Sequence, residues 1–188
     1  FLTVGYAGPE YFCDRKDETA RLIAHLDNDR NTTLLSPRRY GKTGLIRHVL
    51  NLLGKRRGVK TVYVDLYPTR CLADFARALA VAVAESVETP VEKAIKSIAS
   101  FARGFRPTMT FDELSGRPKF SFDITASNAQ ASLESILDYL QGRKGWTVVA
   151  IDEFQQIAEY PEKGVEALLR SKIQFMHNVG FIFSGSKL

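Results

Sequence analysis

The residues Ser36-Pro37-Arg38-Arg39-Tyr40-Gly41-Lys42-Thr43 bring a glycine, an ammonium and a hydroxyl together at the spacing of the phosphate-cradling pattern G-x-x-x-x-G-K-[ST], with Ser36 in place of the first glycine. Each residue type has a physical reason to be there. A loop that leaves a strand and enters a helix turns successive backbone N–H groups inward, where the positive helix terminus favours polyphosphate. Gly41 lets the backbone approach the phosphates, Lys42 reaches the β- and γ-phosphates, and the Thr43 hydroxyl is a ligand for Mg²⁺. A second group lies far along the chain. Val148-Val149-Ala150-Ile151 is an apolar run that ends in two acids, Asp152 and Glu153. In α/β sheets, ligands sit at the carboxyl ends of strands, so these acids should share the site with the loop. Asp152 is expected to hold Mg²⁺ through its water shell, and Glu153 to act as the base on the attacking water.

A bare G-K-T is a weak signal. What gives this one weight is an apolar strand before it and an apolar-faced helix after it. Ser36 precedes a proline and is therefore pushed to extended backbone angles, which serine adopts without strain. Gly44 costs about 1 kcal/mol against alanine inside a helix, and is either a point of close approach for the nucleotide or a local weakness. The second acid separates reaction classes. The N-K-x-D signature of guanine recognition is absent, and a glutamate poised on water would harm a phosphotransferase. ATP hydrolysis fits best.

The elements that must position these groups follow from periodicity. A helix after Asp14-Arg15 carries Leu22, Ile23 and Leu26 on one face, and Thr32-Thr33-Leu34-Leu35 is a short strand. Lys42 to Leu53 is a helix ended by Gly54, and Val59 to Leu66 is a strand stopped by Pro68. Leu72 to Glu88 is an alanine-rich helix, and Pro90 to Phe101 another. Alternation of Met109, Phe111, Phe120, Phe122 and Ile124 around Ser115-Gly116 predicts an inserted β-hairpin at about 105–126. A helix capped by Ser127 or Asn128, the strand Trp146–Ile151, a helix with Val165, Leu168, Leu169 and Ile173, and a strand at Phe181-Ile182-Phe183 complete the order. The fold class is α/β: a three-layer P-loop arrangement, with a mainly parallel central sheet flanked by helices.

The 188 residues suit one domain, 45% hydrophobic residues suffice for a core, and no apolar run is long enough to span a membrane. The start at Phe1 has neither an initiator Met nor a signal-peptide pattern, so the sequence reads as a piece of something longer. Cys13 and Cys71 read as free thiols in a reducing cytoplasm, and His25, His48 and His177 lack metal-ligand spacing. A net charge of +5 permits contact with nucleic acid without requiring it.

Asp14-Arg15-x-x-Glu18, the loop from Ser36 to Thr43, and Asp152-Glu153-Phe154-Gln155 together resemble the archaeal-type ATPase family, in the AAA+/STAND branch of P-loop ATPases. The resemblance extends to the hairpin from Pro107 to Ile124 and to Phe181-Ile182-Phe183-Ser184-Gly185-Ser186, and so covers nearly the whole chain. It implies that the strand ending at Ser184 lies between the loop strand and the Asp152 strand. It implies that Phe12 to Arg15 border adenine, with Arg15 the foremost contact, and that Ser184 or Ser186 senses the γ-phosphate. It also implies that Gln155 relays the nucleotide state to a partner. Members of that family continue past the equivalent of Leu188 with a fifth strand, a helical lid and effector domains, through which a protein or nucleic-acid partner or an oligomer would be engaged.

Three functions remain in view. One is a Mg-dependent ATPase driving conformational change in a larger protein. Another is a regulatory switch, in which hydrolysis only resets the bound state. The third is a nucleic-acid module using Lys55, Arg56, Arg57, Arg103, Arg106, Arg117 and Lys119, whose affinity would fall steeply with salt.

Overall fold

A computed structural model describes residues 6, 8–12, 14–86, 106–111 and 118–186. The expectations for Phe1–Gly5, Cys13, the Pro90–Phe101 helix, Arg103, the Ser115-Gly116 turn, Arg117 and Leu188 fall outside the described residues. The chain forms two compact units.

The first unit comprises Phe1–Tyr67, Lys144–Gln155 and His177–Leu188. It contains α1 (Lys16–Asp27), β1 (Thr32–Ser36), α2 (Lys42–Gly54), β2 (Val59–Asp65), β5 (Trp146–Asp152) and β6 (Val179–Ser186). The four strands form one sheet in the order β1-β6-β5-β2, and every neighbouring pair is parallel. The last strand in sequence therefore lies between the loop strand and the Asp152 strand. β5 and β6 are buried along almost their whole length, which is why they read as continuous apolar runs.

The helical periodicity explains the packing. Leu22 and Leu26 of α1, with Leu45, Ile46, Val49, Leu50 and Leu53 of α2, pack on Val148, Ala150 and Ile182 of the sheet. α2 ends at Gly54 as expected, and the reversal into β2 falls later, at Gly58 (φ 80°). A Cβ at Gly54 would sit 3.4 Å from Thr61 Oγ1, at the edge of ordinary contact.

The second unit comprises Pro68–Arg143 and Gln156–Met176. It holds α3 (Leu72–Glu85), the antiparallel pair β3 (Arg106–Phe111) and β4 (Pro118–Asp123), α4 (Ala129–Gly142) and α5 (Val165–Ile173). β4 alternates as expected: Phe120 and Phe122 are buried, as is Ile124 just beyond, while Lys119, Ser121 and Asp123 are exposed. Phe111 breaks the expected pattern, lying 55% exposed at the end of β3 opposite Pro118. Asn128 stands at the start of α4, but its Oδ1 accepts from Thr125 N (2.8 Å) in the preceding turn rather than from the helix. Buried Tyr160 and Thr69 join their hydroxyls at 2.5 Å, and burial pushes the Tyr160 phenol up to about 12.

Gly58 and Gly145 pin β2 to β5 at their starts. Gly58 O accepts from Trp146 N (3.1 Å), and a Cβ on Gly145, whose φ is 87°, would fall 2.6 Å from that same oxygen. Gly145→Ala should therefore destabilise the chain by about 2 kcal/mol, from strain and backbone displacement. The check is the chemical-denaturation midpoint; a variant as stable as the parent would show that the two turns yield.

Candidate functional site

β1 ends at Ser36, and the chain reverses through Pro37–Gly41 before α2 begins at Lys42. Two residues in this loop have left-handed backbone, Gly41 (φ 70°) and Arg39 (φ 66°). Glycine adopts that region freely, whereas for arginine it costs on the order of 1–2 kcal/mol. Pro37, Arg38, Arg39 and Tyr40 are exposed around the mouth of the loop. The parallel register sets Ser36 level with Ser186, and Asp152 lies at the same end of neighbouring β5.

Lys42 is buried to 8% exposure, with its ammonium inside the loop. Nζ donates to Ser36 O (3.0 Å), Pro37 O (3.1 Å) and Ser186 Oγ (3.3 Å). All three acceptors are neutral. A buried cation with only neutral acceptors is expensive to desolvate, and an entering anion relieves that cost.

One residue further on, Thr43 Oγ1 donates to Asp152 Oδ2 (2.7 Å) across 109 positions of sequence. Asp152 is 2% exposed. Its Oδ2 also accepts from Tyr63 OH (2.9 Å), and its Oδ1 accepts from Glu153 N (3.0 Å). A hydroxyl has one proton and two lone pairs, so Thr43 can hold Asp152 while a lone pair faces a cation. Among the described residues no group of three or more His, Cys, Asp or Glu could hold a metal on its own. A hydroxyl beside one carboxylate suits a cation that takes its other ligands from phosphate and water, as Mg²⁺ does.

Glu153 follows immediately but faces differently. Its φ of 54° turns the chain, and its Oε2 accepts from Gln155 Nε2 (2.5 Å). Gln155 Oε1 in turn accepts from Ser186 N (3.2 Å). A continuous polar path thus runs from Lys42 through Ser186 and Gln155 to Glu153. Ser184 lies elsewhere: it is fully buried, and its Oγ has no hydrogen-bond partner among the described residues.

The N-terminal segment reaches the loop from the other side. Arg15 Nη1 donates to Tyr40 O (3.0 Å) and Gly41 O (3.1 Å), while its remaining nitrogens pair with Glu18. The hydrogen bond to Glu18 is the main reason that the Arg15 pKa is raised. The guanidinium therefore braces the loop backbone. Phe12 stacks on His48 with centroids 4.0 Å apart, and Tyr6 OH meets His48 Nδ1 at 3.1 Å. Burial, helped by the charge of Lys55, pulls the His48 imidazole below its ordinary value. A Cβ on Gly44 would meet only the Phe12 ring edge, at 4.0 Å, so protein packing does not demand this glycine. An open groove of about 1140 Å³ is lined by Phe12, Asp14, Arg15 and His48, and one of about 310 Å³ runs beside β1 from Arg15 to Lys42.

Sequence reasoning missed Tyr63 and Arg47. The Arg47 guanidinium lies 4.0 Å over the Tyr63 ring. Burial first, then the adjacent Asp152 charge, raises the Tyr63 pKa and keeps the phenol a proton donor. Burial likewise raises the Asp65 carboxyl, which pairs in register with Asp152. The available signal was strand alternation, which puts Tyr63 on the opposite face from buried Val62 and Val64. Of the basic residues, Lys55, Arg56, Arg57 and Lys119 are exposed, and Arg56 pairs with Asp27 (2.7 Å).

A parallel sheet with a strand–loop–helix cradle and a carboxylate at the neighbouring strand end defines a P-loop nucleotide-binding domain. The sequence model of a family described as an AAA domain matches residues 25–187, and the chain belongs to that family. Solved structures share the three-layer α/β fold. The Walker-type ATPase of Pyrococcus abyssi is 23% identical over 97% of this chain and 48% of its own, with a TM-score of 0.56. The Aeropyrum pernix Orc1 protein, solved in complex with DNA, is 20% identical over 96% and 41%, with a TM-score of 0.59. Cdc6p from Pyrobaculum aerophilum is 14% identical over 96% and 42%, at 0.54. This chain thus spans less than half the length of each. A search of curated proteins finds no match.

The two serines of β6 make separable predictions. Ser186→Ala should weaken nucleotide-dependent thermal stabilisation, since its hydroxyl touches Lys42. Ser184→Ala should leave that stabilisation intact and, by deleting an unsatisfied buried hydroxyl, hold or raise the melting temperature of the free chain. Melting curves of both variants with and without Mg-ATP decide it; the reverse pattern would make Ser184 the ligand-facing residue.

Proposed function

We propose that this chain binds Mg-ATP in the Pro37–Gly44 loop and hydrolyses it, as the nucleotide core of a longer ATPase. The observation that carries this is the buried Lys42 ammonium, held by neutral oxygens alone, one residue from a hydroxyl already joined to Asp152. The groove beside Phe12 and Arg15 offers an aromatic, partly polar wall for adenine. Here Arg15 acts through the loop carbonyls that it braces rather than through the base alone.

The residues divide the work. Loop N–H groups and Lys42 bind the β- and γ-phosphates, and Ser186 follows the γ-phosphate through its contact with Lys42. Thr43 and Asp152 would hold Mg²⁺, which when bound supplies neutralisation of the phosphate oxygens. Glu153 accepts a proton from water as the water oxygen bonds to the γ-phosphorus and the bridging oxygen departs with ADP, a general-base contribution of roughly 10²–10⁴ in rate.

A regulatory switch with low turnover is a second reading, and one contact favours it. Gln155 holds the Glu153 carboxylate and the Ser186 amide together, so the base is engaged by a neighbour before any water reaches it. On either reading we assign the chain to the archaeal-type, STAND-like branch from its Asp152-Glu153-Phe154-Gln155 run. We take 1–188 as a P-loop core, with the hairpin inserted and a lid and effector domains beyond it. Coupling to a partner, oligomerisation, and DNA contact of the kind seen for the Aeropyrum protein would belong to those further parts. A cytoplasmic site fits the free Cys71 thiol, and among the described residues no helix is long and apolar enough to cross a membrane.

Mg-ATP at about 100 times its dissociation constant should add about 2.7 kcal/mol of stability, read as a raised melting temperature that Mg-GTP does not match. Lys42→Ala should abolish that gain, and a variant that keeps it would remove the loop from phosphate binding. Glu153→Gln should bind ATP as the parent does but lose turnover in the intact protein; equal phosphate release by both would take Glu153 out of the base role.

A further inference from the structure

We infer that Tyr63 is a positioning residue for the metal-side carboxylate, fixing Asp152 through its hydroxyl while Arg47 fixes Tyr63 from above. This rests on the reading of Asp152 as that carboxylate. The geometry forms a closed circuit. α2 delivers Thr43 to Asp152 Oδ2, and one helical turn later it delivers Arg47 to the face of the Tyr63 ring, 4.0 Å from its centroid. β2 lies beside β5 in register, so the Tyr63 phenol reaches forward along the sheet to the same Oδ2, at 2.9 Å.

The two donors on Oδ2 are not equivalent. Thr43 is itself a metal-facing group, so its hydroxyl serves the carboxylate with its proton and a cation with a lone pair. Tyr63 faces no phosphate-binding residue in the described contacts and can stay where it is. With Glu153 N holding Oδ1, it fixes the plane of the carboxylate from the side away from the loop. A buried carboxylate held in one plane is already oriented for a cation, and groups that orient a ligand in this way typically contribute 10–100-fold in metal affinity. The Arg47 guanidinium stacked on the ring attracts its face and opposes rotation of the phenol away from Asp152.

The test is a magnesium titration of the melting temperature at saturating ATP, on the parent chain, Tyr63→Phe, Arg47→Met and Asp152→Asn. Phenylalanine keeps the ring, its packing and the Arg47 stack, and removes one O–H donor. Tyr63→Phe should stay folded without nucleotide and gain the same stability from ATP in EDTA as the parent. Its midpoint for magnesium should rise about tenfold or more. Arg47→Met should shift that midpoint in the same direction by less. If Asp152→Asn displaces the midpoint while Tyr63→Phe keeps the parent value, the role assigned to Tyr63 is overturned and that of Asp152 stands. A lower melting temperature without nucleotide, at an unchanged midpoint, would make Tyr63 a packing residue only. A parent midpoint retained in Asp152→Asn would overturn both.

Discussion

Strand β6 hydrogen-bonds to β1 on one side and β5 on the other, and both pairings are parallel. Everything at the site depends on that arrangement. Parallel register brings the carboxyl ends of three strands to one edge of the sheet, so Ser36, Ser186 and Asp152 arrive together although 150 residues separate the first from the last. α2 must begin where β1 ends, which places Lys42 and Thr43 over the same edge. An antiparallel β6 would carry its last residues to the opposite end and leave Lys42 without its hydroxyl acceptor.

The apolar core enforces that register. Leu45, Ile46, Val49 and Leu53 leave α2 on one stripe and meet Val148, Ala150 and Ile182 on one sheet face. A slip of one residue in β5 would replace Val148 and Ala150 on that face by Val149 and Ile151, changing the volume that α2 must pack against. The polar contacts at the strand ends are few and each is modest. They are precise because the apolar packing behind them leaves little freedom.

Much of this could be read from the sequence. Helical and alternating periods gave the strands and helices of both units, because burial on one face imposes those periods. The loop between β1 and α2 and the acids at the end of β5 stood out because an apolar strand precedes each, and the strand ends fall where that pattern puts them. Three features were hidden for physical reasons. The turn into β2 falls at Gly58, past the helix-ending Gly54, and only the hydrogen bond from Trp146 to Gly58 reveals what holds it. Arg15 reads as a ligand contact, and the sequence does not show that four of its five N–H donors serve Glu18 and the Tyr40 and Gly41 carbonyls while it also lines the groove. Tyr63 carries no motif at all; its meaning comes from the strand that pairs with it, and pairing partners 87 positions apart leave no local trace.

Asp152 and Glu153 are adjacent in sequence yet engage different groups, and the positive φ of Glu153 is what separates them. A side chain in the left-handed region costs on the order of 1–3 kcal/mol, and glycine or asparagine would sit there with less strain. At this one position, backbone ease and the carboxylate's contact with Gln155 pull in opposite directions. A library of variants ranked purely by thermal tolerance would drift toward glycine here, enriching chains that are sturdier but lack the Glu153–Gln155 contact.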